Sequence, residues 1–270
     1  MKRSKIPLLT RLRSAAILPI AALLFLSVPG VSLAQTAPTI ETIVTLPVAT
    51  TENISEGPDG AIYITAPRDR IVWKVKNGKA EMFFTAPDLE SISGVAGTND
   101  ELVIVAAAHS PFMARTDGQP GVVRNPNPKD PECRAIVLDK SGKVKLTVPS
   151  ADPKPFFNGL ARAGDNWFLA TSGNAVYSID TKAGKIEQWF QDPMVRTNGI
   201  KVHNGAVYLP SGNQVFRVQI GPDRKAGAAV MFAMGAQTDD FGIAPDGTLY
   251  IPSGKTILKV TPSGQNSLFS

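Results

Sequence analysis

The chain has 270 residues and a formal charge of +5, which taken alone suggests a basic protein that could bind nucleic acid. Residues 1–34 carry five basic residues and no acidic one, so residues 35–270 hold 23 bases and 23 acids and are neutral overall. The charge therefore gives no reason to expect a nucleic-acid partner. An apolar content of 43% disfavours disorder, and 23 Gly and 22 Pro, spread along the chain, disfavour long helices.

The first 34 residues have the three parts of a secretory signal peptide. A basic stretch ends at Arg13, an apolar run covers 15–28, and small residues precede a cut before Gln35. The apolar run is shorter than the roughly 20 residues of a membrane span, although an uncleaved anchor helix is the alternative. We therefore expect an exported protein, periplasmic or extracellular, without an integral membrane segment after cleavage. Cys133 is the only cysteine, so no internal disulfide can form.

Next along the chain, residues 40–47 read as a single extra strand, and repeats begin after it. Four segments share one pattern: an innermost strand, a Pro-Asp-Gly or Asn-Gly type of turn, a second strand, a short loop and a third strand. A fourth strand follows in each, and residues 91–149 fit a weaker copy. The spacing is about 40 residues, apart from a Pro-rich insertion at 108–133.

Five four-stranded repeats at this spacing predict an all-β chain folded as one β-propeller domain over residues 35–270. A sandwich or solenoid is the alternative, but sandwich strands lack such a repeated turn phrase. Either the ring closes with five blades, or a sixth blade is missing and residues 40–47 are its remnant. The insertion at 108–133 is predicted to be a long loop over the same face as the candidate site described next.

Four oxygen-bearing residues lie in phase, each six residues before the turn of its repeat: Glu52, Asn158, Asn198 and Asp239. Equivalent positions in a propeller form a ring around the central axis, on one face. Two carboxylates and two amides suit a hard divalent cation, and Ca²⁺ in particular takes six to eight oxygen ligands. The set contains no His or Cys, which disfavours zinc and copper. The simpler alternative is that Asn and Asp stand here only as turn formers.

These phrases, Glu52-Asn53, Asn158-Gly159, Thr197 to Ile200, and Asp239-Asp240, resemble the regucalcin/gluconolactonase/paraoxonase-like superfamily of calcium-dependent six-bladed propellers. They fall in the first, third, fourth and fifth repeats, the order in which that family carries its metal ligands. The resemblance implies a calcium-dependent lactonase or esterase that polarises a carbonyl and adds water. It also implies that Asp239 binds the metal and helps to deprotonate a water. Asn53, Asp240 and Glu56 are secondary candidates, and Glu56 is out of phase with the other repeats.

Two further residues or pairs bear on catalysis and specificity. His109 opens the insertion and could carry a proton, although an ordinary loop histidine is the alternative. The family that this chain resembles has an arginine two residues before the Asn of the third repeat, which is Asn158 here. This chain has Phe156 at that position, followed by Phe157. The pair implies a more apolar substrate pocket, and hence a hydrophobic lactone or ester as the small-molecule partner, or loss of activity.

The main alternative to a hydrolase is therefore a non-catalytic propeller that binds a ligand or a protein on the same face. Condensation chemistry of the strictosidine-synthase type is a third possibility, for which no catalytic Glu is visible.

Overall fold

The computed structural model describes residues 41–48, 50–107, 112–114, 122–124, 132–151, 156–235 and 239–269. Within these residues the chain is an all-β propeller of five four-stranded antiparallel blades. Each blade is a meander whose strands pair in chain order, apart from a hairpin inserted in blade 2. The predicted fold class and the five repeats are thus confirmed.

The first two blades contain the following strands. Blade 1 consists of β1 (Ile54–Glu56), β2 (Ile62–Ala66), β3 (Ile71–Lys76) and β4 (Lys79–Thr85). Blade 2 begins with β5 (Ser91–Gly97) and β6 (Glu101–Ala107), and the insertion then carries the hairpin strands β7 (Phe112–Ala114) and β8 (Val122–Arg124). Blade 2 is completed by β9 (Cys133–Asp139) and β10 (Val144–Pro149).

The remaining three blades have no insertion. Blade 3 consists of β11 (Leu160–Gly164), β12 (Trp167–Ser172), β13 (Ala175–Asp180) and β14 (Lys185–Gln191). Blade 4 consists of β15 (Lys201–His203), β16 (Ala206–Ser211), β17 (Gln214–Ile220) and β18 (Ala226–Met234). Blade 5 consists of β19 (Gly242–Ile243), β20 (Leu249–Ser253), β21 (Thr256–Val260) and β22 (Asn266–Leu268).

The second strands of the blades are the most deeply buried. In β6, β12 and β16 every residue except one at an end is buried, because a middle blade packs against a neighbour on both faces. These strands therefore read as continuous apolar runs rather than as an alternation. The fourth strands lie at the outer rim, and β4 and β18 are mostly exposed.

Four clusters of buried residues hold the blades together, one between each pair of blades that are adjacent in sequence. Ile104 of blade 2, for example, belongs to the cluster with Tyr63 of blade 1, and Leu249 of blade 5 to the cluster with Tyr208 of blade 4. Among the described residues no such cluster joins blade 5 to blade 1. That difference bears on the site described below.

The hairpin turns follow the chemistry expected from the sequence. Asn204 and Gly205 join β15 to β16 with φ of 46° and 70°, the positive angles that a two-residue turn requires. Two Pro-Asp turns, at Pro58–Gly60 and Pro222–Arg224, form short 3-10 turns. The turns set the register of each inner strand and so the phase of the residue that precedes it.

The segment before blade 1 differs from its prediction. Residues 41–47 contain no strand, so the expected extra strand there is wrong for the described part of that segment. Six residues of this segment and of the chain just after it line a cavity of about 500 Å³ with Ile54 and Ile64 of blade 1: Val44, Thr45, Leu46, Val48, Thr50 and Thr51. An extended segment becomes a strand only where its backbone forms a hydrogen-bonded ladder, and the sheet of blade 1 contains β1 to β4 alone. Across the described residues, no helix is both long and apolar enough to cross a membrane.

Candidate functional site

Backbone hydrogen bonds place Glu52 and Asn158 at equivalent positions in blades 1 and 3. The Glu52 N–H donates to Thr65 O at 3.0 Å, and the Asn158 N–H donates to Thr171 O at 2.9 Å. In each case the next residue returns a bond, because its carbonyl accepts the N–H of the same threonine. The phase that the sequence assigns to Glu52 therefore holds in the structure.

The Asn-Gly phrases bring neighbouring inner strands together. The Gly159 N–H donates to Asn198 O at 3.2 Å, and the Gly199 N–H donates to Asp239 O at 2.9 Å. A Cβ atom on Gly159 would lie 2.7 Å from Asn198 O, so only glycine permits this approach. Glycine after the asparagine thus serves blade-to-blade contact as well as the turn.

Buried hydroxyl groups fix the same strand starts. Thr65 Oγ1 donates to Ser93 O at 2.6 Å, Ser93 Oγ donates to Phe157 O at 2.6 Å, and Thr171 Oγ1 donates to Asn198 O. Each bond joins one blade to the next, and all three hydroxyl residues are at most 5% exposed. Buried hydroxyl–carbonyl hydrogen bonds of this kind fix the relative positions of the strands that carry the candidate ligands.

Ser93 is a position that the sequence reasoning missed. It occupies the place in blade 2 that Asn158 and Asn198 occupy in blades 3 and 4, because a Cβ on Gly94 would lie 2.6 Å from Asn158 O. The Ser93-Gly94 pair, in phase with the Asn-Gly pairs, was the available signal. Its hydroxyl is directed to backbone carbonyls and not to the ring of ligand candidates.

The four in-phase side chains converge. Asn198 Nδ2 donates to Asp239 Oδ1, and the Asn158 side chain donates to the Glu52 carboxylate. Burial raises the pKa of Glu52 above its ordinary value, the negative charge of Asp239 raises it further, and the Asn158 hydrogen bond lowers it. Two carboxylates therefore share one region, and each accepts a hydrogen bond from an amide.

The chemistry of this set fits a hard cation. The side-chain oxygen Oδ1 of Asn158 is buried and has no hydrogen-bond partner, an unfavourable state that a cation would relieve. Two carboxylates would balance a divalent charge, and oxygen-only donors match calcium. Within the part of the chain that is described, no three His, Cys, Asp or Glu side chains gather at one point. A cation here would therefore depend on the two amide oxygens as well as on Glu52 and Asp239.

The three secondary candidates make other contacts, although Asp240 lies close enough to Glu52 for its charge to act on it. Both carboxylate oxygens of Asp240 accept from Lys201 Nζ, at 2.6 and 2.7 Å, and Oδ1 also accepts the Phe241 N–H at 2.8 Å. Glu56 lies four residues beyond Glu52 along an extended strand, about 13 Å away, beside the turn at Gly60. Asn53 is buried, and its backbone is engaged by Thr65.

Lys201 is a second residue that the sequence reasoning missed. It is two residues beyond Gly199 in blade 4, and its ammonium group lies between Asp240 and the ring of Phe241. Since the pair is only about one quarter exposed, Lys201 offsets one carboxylate charge next to the candidate ligands.

The two residues predicted to line the substrate pocket, Phe156 and Phe157, lie in different environments. Phe157 is 2% exposed and makes an edge contact with Tyr177 in the core between blades 2 and 3, so it is a packing residue rather than a pocket residue. Phe156 is partly buried against the same cluster. Neither lines the cleft described next. His109 lies outside the described residues, as does most of the insertion, and its role stays a prediction.

A cleft of about 950 Å³ opens between blade 1 and blade 5. Glu52 and Asp239 line it, with Asp240 and Lys201 beside them. The cleft continues along the β1 side past Ile54 to Glu56. A small molecule can therefore reach Glu52 and Asp239 through the cleft between blades 1 and 5.

The fold of this chain is similar to the folds of several known proteins. No family model matches the sequence, and no curated protein matches it. The structure is similar to a gluconolactonase from Xanthomonas campestris, with a TM-score of 0.60 and 14% identity over 82% of this chain and 75% of that one. It is also similar to a calcium-binding protein, regucalcin, from Agrobacterium tumefaciens, with a TM-score of 0.57 and 14% identity over 82% and 74%.

The chain is a gluconolactonase- and regucalcin-like β-propeller in its fold. A chain from a nidogen/laminin complex is similar too, with a TM-score of 0.63 and 12% identity over 85% of this chain and 83% of that one. The architecture is therefore shared by proteins with different roles, and the function must be argued from the site.

Proposed function

We propose that this protein is a divalent-cation-dependent hydrolase of lactones or esters, with calcium as the expected cation. The observation that carries the proposal is the convergence of Glu52, Asn158, Asn198 and Asp239, with the buried Asn158 Oδ1 left without a partner. The likeness of the fold to gluconolactonase and regucalcin supports the same reading.

In this proposal Glu52 and Asp239 hold the cation through carboxylate oxygens, and Asn158 and Asn198 through amide oxygens. A cation bound there would polarise the substrate carbonyl and stabilise negative charge on its oxygen. Asp239 accepts a proton from the attacking water at Oδ2, because Oδ1 already accepts the Asn198 amide.

The reaction breaks the acyl C–O bond of the ester and forms a new C–O bond to the water oxygen. The proton taken by Asp239 passes to the alkoxide oxygen of the leaving group, which remains attached when the substrate is a lactone. The new carboxylic acid loses its own proton at neutral pH.

The first test is calcium binding, measured by calorimetry and by thermal unfolding. We expect calcium at about 100 times its dissociation constant to stabilise the protein by about 2.7 kcal/mol. Glu52→Gln should remove most of this gain, and the matched control Glu56→Gln, in the same strand but near the turn, should keep it. Equal losses in both variants would contradict the assignment of Glu52.

The second test is turnover of a panel of aryl esters and lactones by the calcium-loaded protein. Asp239→Ala should lower kcat by at least about 10²-fold, the usual contribution of a general base. Undiminished turnover in Asp239→Ala would exclude the proposed site even if the protein is a hydrolase.

A second candidate is a non-catalytic propeller that binds a ligand or a protein on this face. It is favoured by the amide hydrogen bonds of the two carboxylates, since Asn158 and Asn198 give Glu52 and Asp239 polar partners within the protein. Calcium binding without turnover of any ester or lactone would support this candidate.

Export is part of the proposal and rests on the sequence of residues 1–34. N-terminal sequencing of the mature protein from the periplasm or the culture medium should begin at Gln35. A mature protein that retains residues 1–34 would contradict this part.

A further inference from the structure

The interface between blade 5 and blade 1 differs from the other four, because a cleft of about 950 Å³ takes the place of a packed cluster in the described residues. Sites for small molecules in proteins commonly have volumes of about 300 to 1,000 Å³. The cleft is therefore large enough to hold a molecule that extends well beyond one ester group.

The blade 1 wall of the cleft is apolar along its middle. Since side chains alternate along a strand, Ile54 and Glu56 share the face that follows Glu52. Ile62, the pairing partner of Glu56 on β2, lines the same wall, so Ile54 and Ile62 contribute apolar surface from two adjacent strands. Ile54 is 58% exposed, so much of its side chain is available to a ligand in the cleft.

The blade 5 wall leaves space opposite this strip. This wall of the cleft is formed by Phe241, Gly242 and Pro252. A Cβ atom added to Gly242 would meet nothing within 4 Å. The apolar strip runs from Glu52 and Asp239 at one end to Glu56 at the other, a span of about 13 Å along the strand.

The charge of the cleft selects against anions. Among the described residues that line it, four carry carboxylates, Glu52, Glu56, Asp239 and Asp240, and one, Lys201, is basic. Even with a divalent cation bound, the lining keeps a net negative charge. A neutral ligand enters without repulsion, whereas a carboxylate is repelled.

From these observations we infer that the substrate is an uncharged amphipathic lactone or ester, whose carbonyl lies between Glu52 and Asp239 and whose hydrocarbon chain lies along Ile54 and Ile62. This inference rests on the proposed hydrolase function. It adds a specificity element, the isoleucine strip in the side cleft.

The test is a series of neutral γ-lactones of increasing alkyl length, assayed with the calcium-loaded full chain. The ratio of kcat/KM between a long and a short lactone should rise by up to about fourfold for each methylene that the cleft buries. Ile54→Ser should flatten this rise. Met82→Ser, which changes an equally exposed apolar residue on the rim strand β4, should keep it.

A charge comparison sharpens the test. A lactone with a carboxylate at the end of its alkyl chain should react more slowly than the neutral lactone of equal length, and Glu56→Gln should narrow that difference. Turnover of the panel with no dependence on length would overturn the inference and leave the hydrolase proposal standing.

Absence of any turnover would contradict the hydrolase proposal instead, and binding then decides the inference. The neutral dye Nile red should bind to the protein and be displaced by the long lactones, with weaker binding in Ile54→Ser than in Met82→Ser. No binding of the dye, or equal binding by both variants, would overturn the inference.

Discussion

The interface between blades 2 and 3 and the space between blades 5 and 1 show two ways in which the same blade can face a neighbour. The first is filled by a cluster that contains Phe157, Leu160 and Phe168, all at most 4% exposed. The second is an open cleft with Ile54 at its wall and carboxylates at both ends. The closed interface stabilises the fold through apolar burial, whereas the open one places charged groups where a ligand can reach them.

The largest expected difference between the two regions is in stability. Ile104→Ala removes a fully buried side chain from the cluster between blades 1 and 2 and should cost about 2 to 5 kcal/mol. Ile54→Ala in the cleft should change the free energy of unfolding by less than about 1 kcal/mol. Urea denaturation measures both, and equal losses would mean that the cleft is a packed interface in solution.

A second difference concerns glycine. A Cβ on Gly199 would lie 2.4 Å from Asp240 Oδ1 and 2.8 Å from Asp239 O, so Gly199→Ala should cost about 1 to 3 kcal/mol and displace Asp239. Gly242→Ala, which adds a Cβ into the open cleft, should be neutral or stabilising by up to about 1 kcal/mol. The comparison fails if the two variants have the same denaturation midpoint.

A third prediction concerns the ion pair at the edge of the cleft. Lys201→Met removes the ammonium group that offsets the Asp240 charge near Glu52 and Asp239 and should cost about 1 to 2 kcal/mol, between the values for exposed and buried pairs. Because the negative charge near the site increases, calcium should bind more tightly to this variant. The double variant Lys201→Met/Asp240→Asn should return the affinity toward that of the original protein. A fall in affinity in the single variant would show that Lys201 acts in some other way.

The smallest predicted effect is the contribution of Glu52, in the cleft, to the pH dependence of stability. Because the pKa of Glu52 is raised in the folded state, mainly by burial, the folded protein holds the proton more tightly than the unfolded chain. Without calcium, stability should therefore fall as pH rises from the ordinary glutamate pKa through the higher folded value, and then level off. Denaturation in the presence of a chelator should show this fall, and Glu52→Gln should reduce it. An identical pH profile in that variant would assign the effect to other groups.

Much of the fold was predictable because local rules and the global fold agree. The Pro-Asp-Gly and Asn-Gly turns fix hairpin register, and the register fixes which residue precedes each inner strand. The phase of Glu52, Asn158, Asn198 and Asp239 followed from counting back from the turns, and the structure brings these four side chains together. The expected strand at residues 40–47 is wrong in its described part because an apolar run does not by itself determine whether the backbone pairs with a sheet.

Other features depended on contacts between blades that no local pattern contains. Phe156 and Phe157 are adjacent in sequence, yet only the Ser93 hydroxyl bond to Phe157 O and the packing on Tyr177 show that Phe157 belongs to the core. Lys201 was overlooked because its partner, Asp240, lies in the next blade. Ser93 was overlooked because a serine can serve many local purposes, and its equivalence to Asn158 appears only from the close approach at Gly94.

The sequence by itself determined the strand pattern, the number of recognisable blades and the phase of the four oxygen-bearing residues, because all three depend on spacing along the chain. The tertiary structure alone decided which oxygens meet, how Lys201 neutralises Asp240, and that blades 1 and 5 enclose a cleft lined by Ile54. The physical reason is that contacts between blades join residues far apart in sequence, and their distances are set by how whole sheets pack against one another.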